Sequence, residues 1–332
     1  MVVEYSGHLA SQGHDVAIIT GIFNTVFHVR AKVKLILGRS KIKTILKALA
    51  IKANADIIIA DIIVMVFFLS FRNKGKLLYF AQDYDESYYK NPLMRILIRI
   101  LYFYCLARQR IPVIAVSEEL GALLQHRFNA EVAIVPNGID TDTFYPERDK
   151  GYLALKGDRK AILVFARSDY RKGFDIAVQV LHRFKREIEA DLVSVWAVGE
   201  SIPASFPIRN FGFVPPDQLR KILSCSDVLL YPSRHEGLPL FVLEAMACGC
   251  PVVTTEAVGI VEDGVNGVAC PIGNVDCLYG SLSDLIHRQG SREGMVRNAS
   301  ATVAKYSLNV SKAMFERYLY DFTQRSELLK GG

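Results

Sequence analysis

The chain has 332 residues, of which 51% are hydrophobic and 22% are charged, and its formal net charge is +6. This composition excludes a disordered or fibrous protein, and the length favours two domains that each have their own core. No nucleic-acid recognition motif accompanies the positive charge, so we expect no nucleic acid among the partners.

The amino-terminal half opens with a helix-like segment and continues with strand-like runs between polar turns. The clearest runs are DVAIIT (15–20), DIIIAD (56–61), KLLYFAQD (76–83) and PVIAVS (112–117). The longest apolar run, residues 57–70, is interrupted by Asp61 and is shorter than the ~20 residues that a membrane-spanning helix needs. We therefore interpret it as a strand followed by a buried segment.

Two segments of this half are basic and amphipathic. Residues 30–52 contain eight Lys or Arg and no acid, and residues 93–110 repeat the pattern. In the first segment apolar residues recur at helical spacing, namely Ile42, Ile45, Leu46 and Leu49. Two interpretations stay open. Both segments could dock on an anionic membrane surface, where a lipid-linked acceptor would be found, or they are core-packing helices with a solvated basic face.

The carboxyl-terminal half alternates strands and helices after a polar linker at residues 140–152. Its strand-like runs are AILVFAR (161–167), LVSVWAVG (192–199), VLLYPS (228–233) and PVVTT (251–255). A helix-like stretch follows each strand, and a final helix is predicted over residues 307–326. This alternation predicts an α/β fold whose parallel sheet binds ligands beyond the carboxyl ends of its strands.

The segment SRHEGLPLFVLEAMACGCPVV (233–253) carries the strongest functional signal. Glu236 lies in a loop after a strand, and Gly237–Pro239 is typical of a turn that opens a helix. Free N–H groups and the positive end of the helix dipole make an anion site at such a turn. Glu244 lies in an otherwise apolar helix and needs partners, which a ribose diol could supply. We therefore expect a ligand with a phosphate between two hydroxyl-bearing groups.

Glu236, Glu244 and the following AMACGCPVVTT resemble the donor site of retaining glycosyltransferases of family 4, also called group 1. Three further segments resemble this family, namely VFARSDYRKGFD (164–175), VPNGIDTDTF (135–144) and GHDVAIIT (13–20). The resemblance implies the GT-B fold, in which two Rossmann-like domains with parallel sheets flank a donor cleft. It implies an acceptor-side domain at 1–148, a nucleotide-sugar donor domain at 149–306, and a helix at 307–332 that crosses back to the first domain.

The family also implies roles for the donor-site residues. Arg167 and Lys172 would act on a pyrophosphate and stabilise the leaving group. Glu236 would contact the sugar hydroxyls, and Glu244 the ribose. The phosphate turn would comprise Gly237, Leu238, Pro239 and Leu240, with the N–H groups of Leu238 and Leu240 as donors. We expect no metal and no cofactor, because the two cations would do the work of Mg²⁺. The segment 211–214 either contacts the nucleobase through its backbone or is an edge strand.

The acceptor side is less well marked. Where many family members carry a histidine, this chain has Gln82 and Asp83. Asp83 either orients or deprotonates an acceptor hydroxyl, or it caps a helix. Asn137 belongs to an Asn-Gly turn that links the domains in the family. Asp83-Tyr84-Asp85 mimics the metal motif of another glycosyltransferase fold, but it lies in the wrong domain to hold donor phosphates.

One departure from the family concerns the start of the chain. Family members begin with a strand and a glycine-rich loop, whereas this sequence begins at the first helix. The sequence therefore predicts that DVAIIT (15–20) and KLLYFAQD (76–83) lack a shared neighbouring strand. A misassigned start or a fragment is the preferred account, and another segment that fills the place is the alternative.

The expected function is transfer of a sugar from a nucleotide diphosphate donor to a hydroxyl acceptor, in polysaccharide or lipid-linked glycan synthesis. The alternatives are a non-catalytic sugar-nucleotide-binding subunit and another GT-B enzyme such as a nucleotide-sugar epimerase. The six cysteines show no C-x-x-C spacing, so we expect reduced, buried thiols. The expected location is cytoplasmic, with peripheral attachment to the inner face of the membrane.

Overall fold

The computed structural model describes residues 2–20, 31–35, 54–287 and 292–328. The chain divides into two compact units, which we call the first unit (Met1–Gly138 with Asn309–Gly332) and the second unit (Ile139–Leu308). The boundary follows Gly138, whereas the sequence placed it after residue 148. The reason is that Ile139 and Phe144 are buried in the core of the second unit, where Arg220 donates a hydrogen bond to the Thr143 carbonyl.

The first unit is built from short strands that alternate with helices. Its strands are β1 (Ala17–Thr20), β2 (Lys32–Leu35), β3 (Ile58–Ala60), β4 (Leu77–Ala81), β5 (Val113–Ala115) and β6 (Val132–Ile134). The helices among them are α1 (Val2–Ser11), α2 (Ile63–Asn73), α3 (Pro92–Tyr102) and α4 (Glu118–Phe128). A π-helical turn, Phe103–Arg108, continues α3, so the second basic segment is helical as predicted.

The first basic segment differs from its prediction where the structure describes it. Lys32–Leu35 is the strand β2, and Lys32 forms an exposed ion pair with Asp15. The predicted helix around Ile42–Leu49 lies outside the described residues.

The main sheet of the first unit is parallel and has the strand order β3-β4-β5-β6, while β1 pairs with β2 apart from it. The strand β4 is buried along its whole length and lies between β3 and β5. The sequence predicted that DVAIIT (15–20) and KLLYFAQD (76–83) lack a shared neighbouring strand. Among the described strands none pairs with both β1 and β4, and DIIIAD (56–61) supplies β3 beside β4. Within the described residues, β1 pairs only with β2 and β3 only with β4.

The second unit has a longer parallel sheet. Its strands are β7 (Lys160–Ala166), β8 (Val193–Gly199), β9 (Arg209–Asn210), β10 (Val228–Tyr231), β11 (Val252–Thr255) and β12 (Val268–Cys270). Its helices are α5 (Lys150–Lys156), α6 (Phe174–His182), α7 (Lys185–Glu189), α8 (Pro216–Cys225), α9 (Leu240–Ala247), α10 (Val275–His287) and α11 (Arg292–Lys305). The described strands follow the order β12-β11-β10-β7-β8-β9, and every pair is parallel.

The core of the second unit lies on both faces of this sheet. Apolar residues of α6, α7 and α10 cover one face, and those of α8, α9 and α11 cover the other. Because both faces are covered, β10 is buried at all four positions and its sequence is apolar throughout, as is usual for parallel sheets. The predicted α/β architecture is therefore confirmed in this unit.

The last helix of the chain, α12 (Leu308–Leu328), joins the first unit from Asn309 onward. Its Phe315 is 2% exposed and stacks on Tyr5 of α1 with ring centroids 4.2 Å apart. Phe80 of β4 packs on the same pair of rings. The two ends of the chain thus share one aromatic cluster.

The cysteines depart from their prediction. Cys270 at the end of β12 and Cys277 in α10 form a disulfide, with their Cα atoms 5.8 Å apart. This separation lies within the range for a disulfide, and the short loop between β12 and α10 brings the two residues together. The expectation that both thiols are reduced is therefore wrong, and the cysteines no longer support a reducing compartment. The remaining four cysteines are free and buried.

No helix in the described residues is both long and apolar enough to span a bilayer.

Candidate active site

Glu236 is the acid of the loop that follows β10, and three side chains hold its carboxylate in place. Its carboxylate accepts hydrogen bonds from Tyr231 Oη at 2.8 Å and from Ser233 Oγ at 2.7 Å. Lys172 Nζ lies 2.9 Å from each of its two oxygens. The Glu236 side chain is only 6% exposed, so these partners fix its position. We call Tyr231, Ser233, Glu236 and Lys172 the clasp.

The turn before α6 delivers Lys172 to this position. Asp169 accepts a hydrogen bond from the Arg171 N–H and so caps the short 3₁₀ turn Tyr170–Lys172. The next residue, Gly173, has φ +66°, and a Cβ there would collide with the Pro232 carbonyl oxygen. Only glycine fits this close approach, and for that reason the Lys-Gly pair identified in the sequence lies against the β10 loop.

Further hydrogen bonds join the same two loops. The carbonyl of Arg171 accepts from the Arg234 N–H at 2.6 Å, and Ser233 Oγ lies 2.9 Å from the same carbonyl oxygen. The Arg234 guanidinium pairs with Asp175 at the start of α6. Both loops emerge from the carboxyl edge of the sheet because β10 lies beside β7 in parallel.

Arg167 follows β7 at the same edge but has other partners. Its guanidinium lies 3.5 Å from the Glu200 carboxylate and rests over the rings of Phe165 and Phe213. Glu200 also accepts a hydrogen bond from the Ser168 N–H, and hydrogen bonds from the Ser168 side chain and N–H lower the pKa of the Glu200 carboxyl. Arg167 is 37% exposed along its side chain, so a ligand can reach it.

The predicted phosphate turn is only partly free. The Leu240 N–H donates to the Leu238 carbonyl at 3.0 Å across Pro239, whose φ of −82° and ψ of 82° form an inverse γ-turn. The prediction of Leu240 as a donor is therefore wrong for this conformation. The N–H groups of Gly237 and Leu238 make no hydrogen bond with any described residue, and they precede α9 directly.

Glu244 lies in α9 in an apolar environment. Its carboxyl makes no hydrogen bond within the described part of the chain, and burial raises its pKa to about 8. The residue is nevertheless only partly covered, so a ligand can approach it. A carboxyl without donors in such a place gains from a ligand that brings hydroxyl groups.

The segment 211–214 lies just beyond the short edge strand β9. The Gly212 carbonyl accepts from the Gly199 N–H at 2.8 Å, and the Phe211 N–H donates to Ala197. Phe213 is 69% exposed and contacts the Arg167 guanidinium. These bonds extend the edge beside β8, so both earlier interpretations of the segment remain compatible with its position.

The acceptor-side candidates lie in the first unit. Gln82 and Asp83 follow β4, and Asp83 accepts a hydrogen bond from the Tyr84 N–H at 2.7 Å. Asp85 is buried and accepts from the Ile63 N–H at the start of α2, and its burial raises its pKa to about 7. The second acid of the Asp-x-Asp pattern therefore has a helix-capping contact of its own. Asn137 is 5% exposed, and its Oδ1 has no partner among the described residues.

Two family models match the chain. Residues 1–143 match the model described as Glycosyltransferase Family 4, and residues 159–288 match the model described as Glycosyl transferases group 1. The chain is a group 1 glycosyltransferase.

Relatives of this group 1 glycosyltransferase carry transferase names. An uncharacterised glycosyltransferase of Methanocaldococcus jannaschii is 29% identical over 62% of this chain and 59% of its own length. The N,N'-diacetylbacillosaminyl-diphospho-undecaprenol alpha-1,3-N-acetylgalactosaminyltransferase of Campylobacter jejuni is 28% identical over 71% of this chain and 66% of its own. The chain thus spans about half to two thirds of the length of curated relatives that it matches.

Solved structures place the group 1 glycosyltransferase in the GT-B fold. Sucrose-phosphate synthase of Thermosynechococcus elongatus superposes with a TM-score of 0.78 and 17% identity, covering 97% of this chain and 93% of that one. An Anabaena protein solved with UDP-glucose superposes with a TM-score of 0.71 and 18% identity, covering 87% and 86%. At these identities the likeness establishes the fold alone.

The sequence did not single out several residues of the group 1 glycosyltransferase site. Tyr231 and Ser233 complete the clasp, and Glu200 holds Arg167. A signal for the first two was present, because Tyr231 and Ser233 end a strand with the alternation that sends both side chains to one face. Glu200 carried no local signal, because only the pairing of β7 with β8 brings it to Arg167.

Proposed function

We propose that this chain transfers a sugar from a nucleotide diphosphate donor to a hydroxyl acceptor, with retention of the anomeric configuration. The observation that carries the proposal is the contact of Lys172 with Glu236. The next two residues in the chain, Gly237 and Leu238, have N–H groups that make no hydrogen bond with any described residue. A cation, two amide donors and the start of α9 therefore converge on one loop. This is the set of donors that binds a diphosphate well.

The reaction breaks the bond between the anomeric carbon and the β-phosphate oxygen, so negative charge develops on the leaving diphosphate. Lys172 and Arg167 stabilise that charge, and we propose that no metal ion is required. The acceptor hydroxyl attacks the same face of the sugar, and its proton passes to the departing phosphate oxygen. No protein nucleophile takes part in this scheme.

The two acids bind the ends of the donor. Glu236 is held by Tyr231, Ser233 and Lys172, and the remaining lone pairs of its carboxylate can accept a sugar hydroxyl. Glu244 lacks donors among the described residues and accepts the ribose hydroxyls. A charge-assisted hydrogen bond of this kind contributes ~1.5–3 kcal/mol, which is enough to orient the donor.

The names of relatives and structural neighbours support the proposed substrate classes. An Anabaena protein of the same fold binds UDP-glucose, so uridine diphosphate sugars are the first donors to test. The name of the Campylobacter jejuni relative describes a lipid-linked acceptor. We propose an acceptor hydroxyl on a glycan or lipid-linked glycan, with Gln82, Asp83 and Asn137 as acceptor-side candidates. Peripheral contact with an anionic membrane surface through residues 30–52 and 93–110 would bring the chain to such an acceptor.

The deciding experiment measures donor binding and turnover together. UDP-, GDP- and dTDP-sugars are screened by thermal shift, since a ligand at 100 times its Kd stabilises a protein by ~2.7 kcal/mol. Release of the nucleoside diphosphate is then followed with the bound donor, with and without EDTA. The Lys172→Ala variant should lose about 10- to 100-fold in kcat/KM, whereas Lys185→Ala, an exposed lysine on α7, should not.

Two results would contradict the proposal. Equal turnover in both lysine variants would remove Lys172 from the reaction, and activity that EDTA abolishes and Mg²⁺ restores would refute the metal-free scheme. Donor binding without turnover for any glycan or lipid-linked acceptor would favour the non-catalytic binding subunit instead.

A further inference from the structure

The helix α3 leaves an apolar face uncovered. Ile98 and Tyr102 are its buried residues, so the helix packs through a narrow face. The exposed side chains recur three or four residues apart and therefore line one side of the helix and of the π-helical turn. They are Leu93 at 74% exposure, Ile96 at 51%, Leu97 at 47%, Ile100 at 57% and Phe103 at 60%.

The helix α2 extends this surface. Phe71 of α2 is 56% exposed, and its ring stacks on that of Tyr104 with centroids 6.2 Å apart. We call Phe71 together with Leu93, Ile96, Leu97, Ile100 and Phe103 the α3 apolar face. Single exposed apolar residues are ordinary on a protein surface, but a contiguous set of this size marks an interaction site.

The charges around the α3 apolar face have one sign. From Ser87 to Val116 every charged residue is basic, namely Lys90, Arg95, Arg99, Arg108 and Arg110. Arg95 and Arg99 lie on α3 itself and remain 52% and 54% exposed. An apolar stripe bordered by cations is complementary to an interface that offers hydrocarbon beneath negative headgroups.

A buried acid holds the two arginines in place. Glu86 is fully buried and accepts from Arg99 at 2.6 and 3.1 Å and from Arg95 at 3.2 Å. The hydrogen bonds from Arg99 lower the pKa of Glu86 to about 2. One buried carboxylate therefore serves two guanidinium groups, so the pair keeps a positive charge and a fixed orientation.

We infer that α3 lies in the interfacial plane of a phospholipid leaflet that contains anionic lipid. The α3 apolar face enters the boundary between headgroups and acyl chains, and Arg95 and Arg99 meet the phosphates. The biological role of this surface rests on the proposed function, because the surface would bring the chain to a lipid-linked acceptor. It goes beyond charge attraction, because the apolar contact persists when salt screens the arginines.

A second copy of the chain is a poorer occupant. Two such faces packed together would bring the arginines of both copies close to one another, with a single buried acid on each side to offset them. Anionic headgroups instead supply the opposite charge. Tyr84 Oη also donates to Glu86 at 2.6 Å, so the surface is tied to the loop that carries Asp83.

The test compares two triple variants of the full chain. Leu93→Ser/Ile96→Ser/Ile100→Ser removes the stripe, and Leu192→Ser/Val265→Ser/Ile272→Ser removes exposed apolar side chains of the second unit as a matched control. Sedimentation with phosphatidylcholine vesicles, with and without phosphatidylglycerol, is measured at low and high salt. The wild type and the control should bind the anionic vesicles, and the α3 variant should bind at least tenfold more weakly. Binding of the wild type should persist in part at high salt.

The outcomes separate this inference from the proposed function. Equal vesicle binding by the wild type and the α3 variant, or no binding by either, overturns the inference. So does a wild type that dimerises without vesicles when the α3 variant stays monomeric, since a second copy would then cover the face. Thermal shift with UDP-sugars should be unchanged in the α3 variant, and failure of donor binding in all variants would overturn the proposed function alone.

Discussion

Glu236 and Glu244 lie eight residues apart and experience opposite electrostatic environments. Three donor side chains surround Glu236, one of them the cation of Lys172. Glu244 lies among apolar residues and has no hydrogen-bond donor within the described residues. Burial raises the pKa of its carboxyl to about 8. The first acid therefore has fixed donors within the chain, and under the proposed function the second acid receives its donors from the ribose of the sugar nucleotide.

The raised pKa of Glu244 predicts a stability that depends on pH. The folded chain keeps the proton up to about pH 8, while the unfolded chain releases it near the ordinary value of 4.5. The unfolded state then binds fewer protons between these values, so the free energy of unfolding falls as the pH rises through that window. The Glu244→Gln variant avoids this loss, so its free energy of unfolding at pH 8.5 should exceed that of the wild type by on the order of 2–4 kcal/mol.

The measurement uses the single tryptophan. Trp196 is buried in β8 of the second unit, so its fluorescence during urea unfolding reports on the unit that contains Glu244. The wild type and Glu244→Gln should have the same free energy of unfolding at pH 4.5 and different ones at pH 8.5. The control Glu256→Gln, at an exposed position, should match the wild type at both pH values. A constant difference across the window would show that Glu244 titrates normally.

At the scale of elements, two loops are joined to make the clasp. The β7–α6 loop presents Lys172, and the β10–α9 loop presents Glu236. Gly173 permits the contact, because its φ of +66° and the nearby Pro232 carbonyl leave no room for a Cβ. A backbone hydrogen bond from the Arg234 N–H to the Arg171 carbonyl also joins the two loops.

Substitution of Gly173 by alanine should cost more than the left-handed conformation alone. Gly264 has a similar φ of +71° with no atom near its Cβ position, so Gly264→Ala should lose only the conformational cost of ~1–2 kcal/mol. Gly173→Ala adds the collision with Pro232, so its free energy of unfolding should fall by at least ~2 kcal/mol more. Trp196 fluorescence in urea compares the two variants. Equal losses would mean that the loops separate without cost.

At the scale of the whole molecule, the ends of the chain meet in the first unit. Phe315 of α12 packs on Tyr5 of α1 and on Phe80 of β4. Lys312 of the same helix forms an ion pair with Glu4 of α1, and the Glu316 carboxylate lies 3.0 Å from His8 Nε2. The stability of the first unit therefore depends on a helix that follows the second unit in sequence.

Removal of the Phe315 ring should destabilise the first unit selectively. Phe315→Ala leaves a cavity among buried rings and should cost ~3–5 kcal/mol, whereas Tyr320→Ala, at a 65% exposed position of the same helix, should cost little. Hydrogen exchange should accelerate in β4 of the first unit and stay slow in β10 of the second. Equal acceleration in both strands would show that the two units unfold as one.

The sequence by itself predicted the strands of the second unit and the residue pattern of the loop after β10. Alternating apolar runs predicted the strands of the second unit, since a parallel sheet covered on both faces needs continuous apolar strands. The Glu236 and Glu244 spacing, the Lys172-Gly173 pair and the turn at Gly237 are local patterns, so they could be recognised without a fold. They led to the glycosyltransferase family that the family models confirm.

The tertiary structure decided every feature that depends on residues far apart in the chain. The neighbours of KLLYFAQD and the Glu200 partner of Arg167 follow from strand pairing, which local composition does not predict. The disulfide between Cys270 and Cys277 joins residues only seven apart, but it depends on how the short loop between them closes. The engaged N–H of Leu240 likewise depends on the backbone torsions of Pro239. Sequence records which groups are present, but partners and exposure arise only when the chain packs, because hydrogen bonding and burial are properties of neighbours in space.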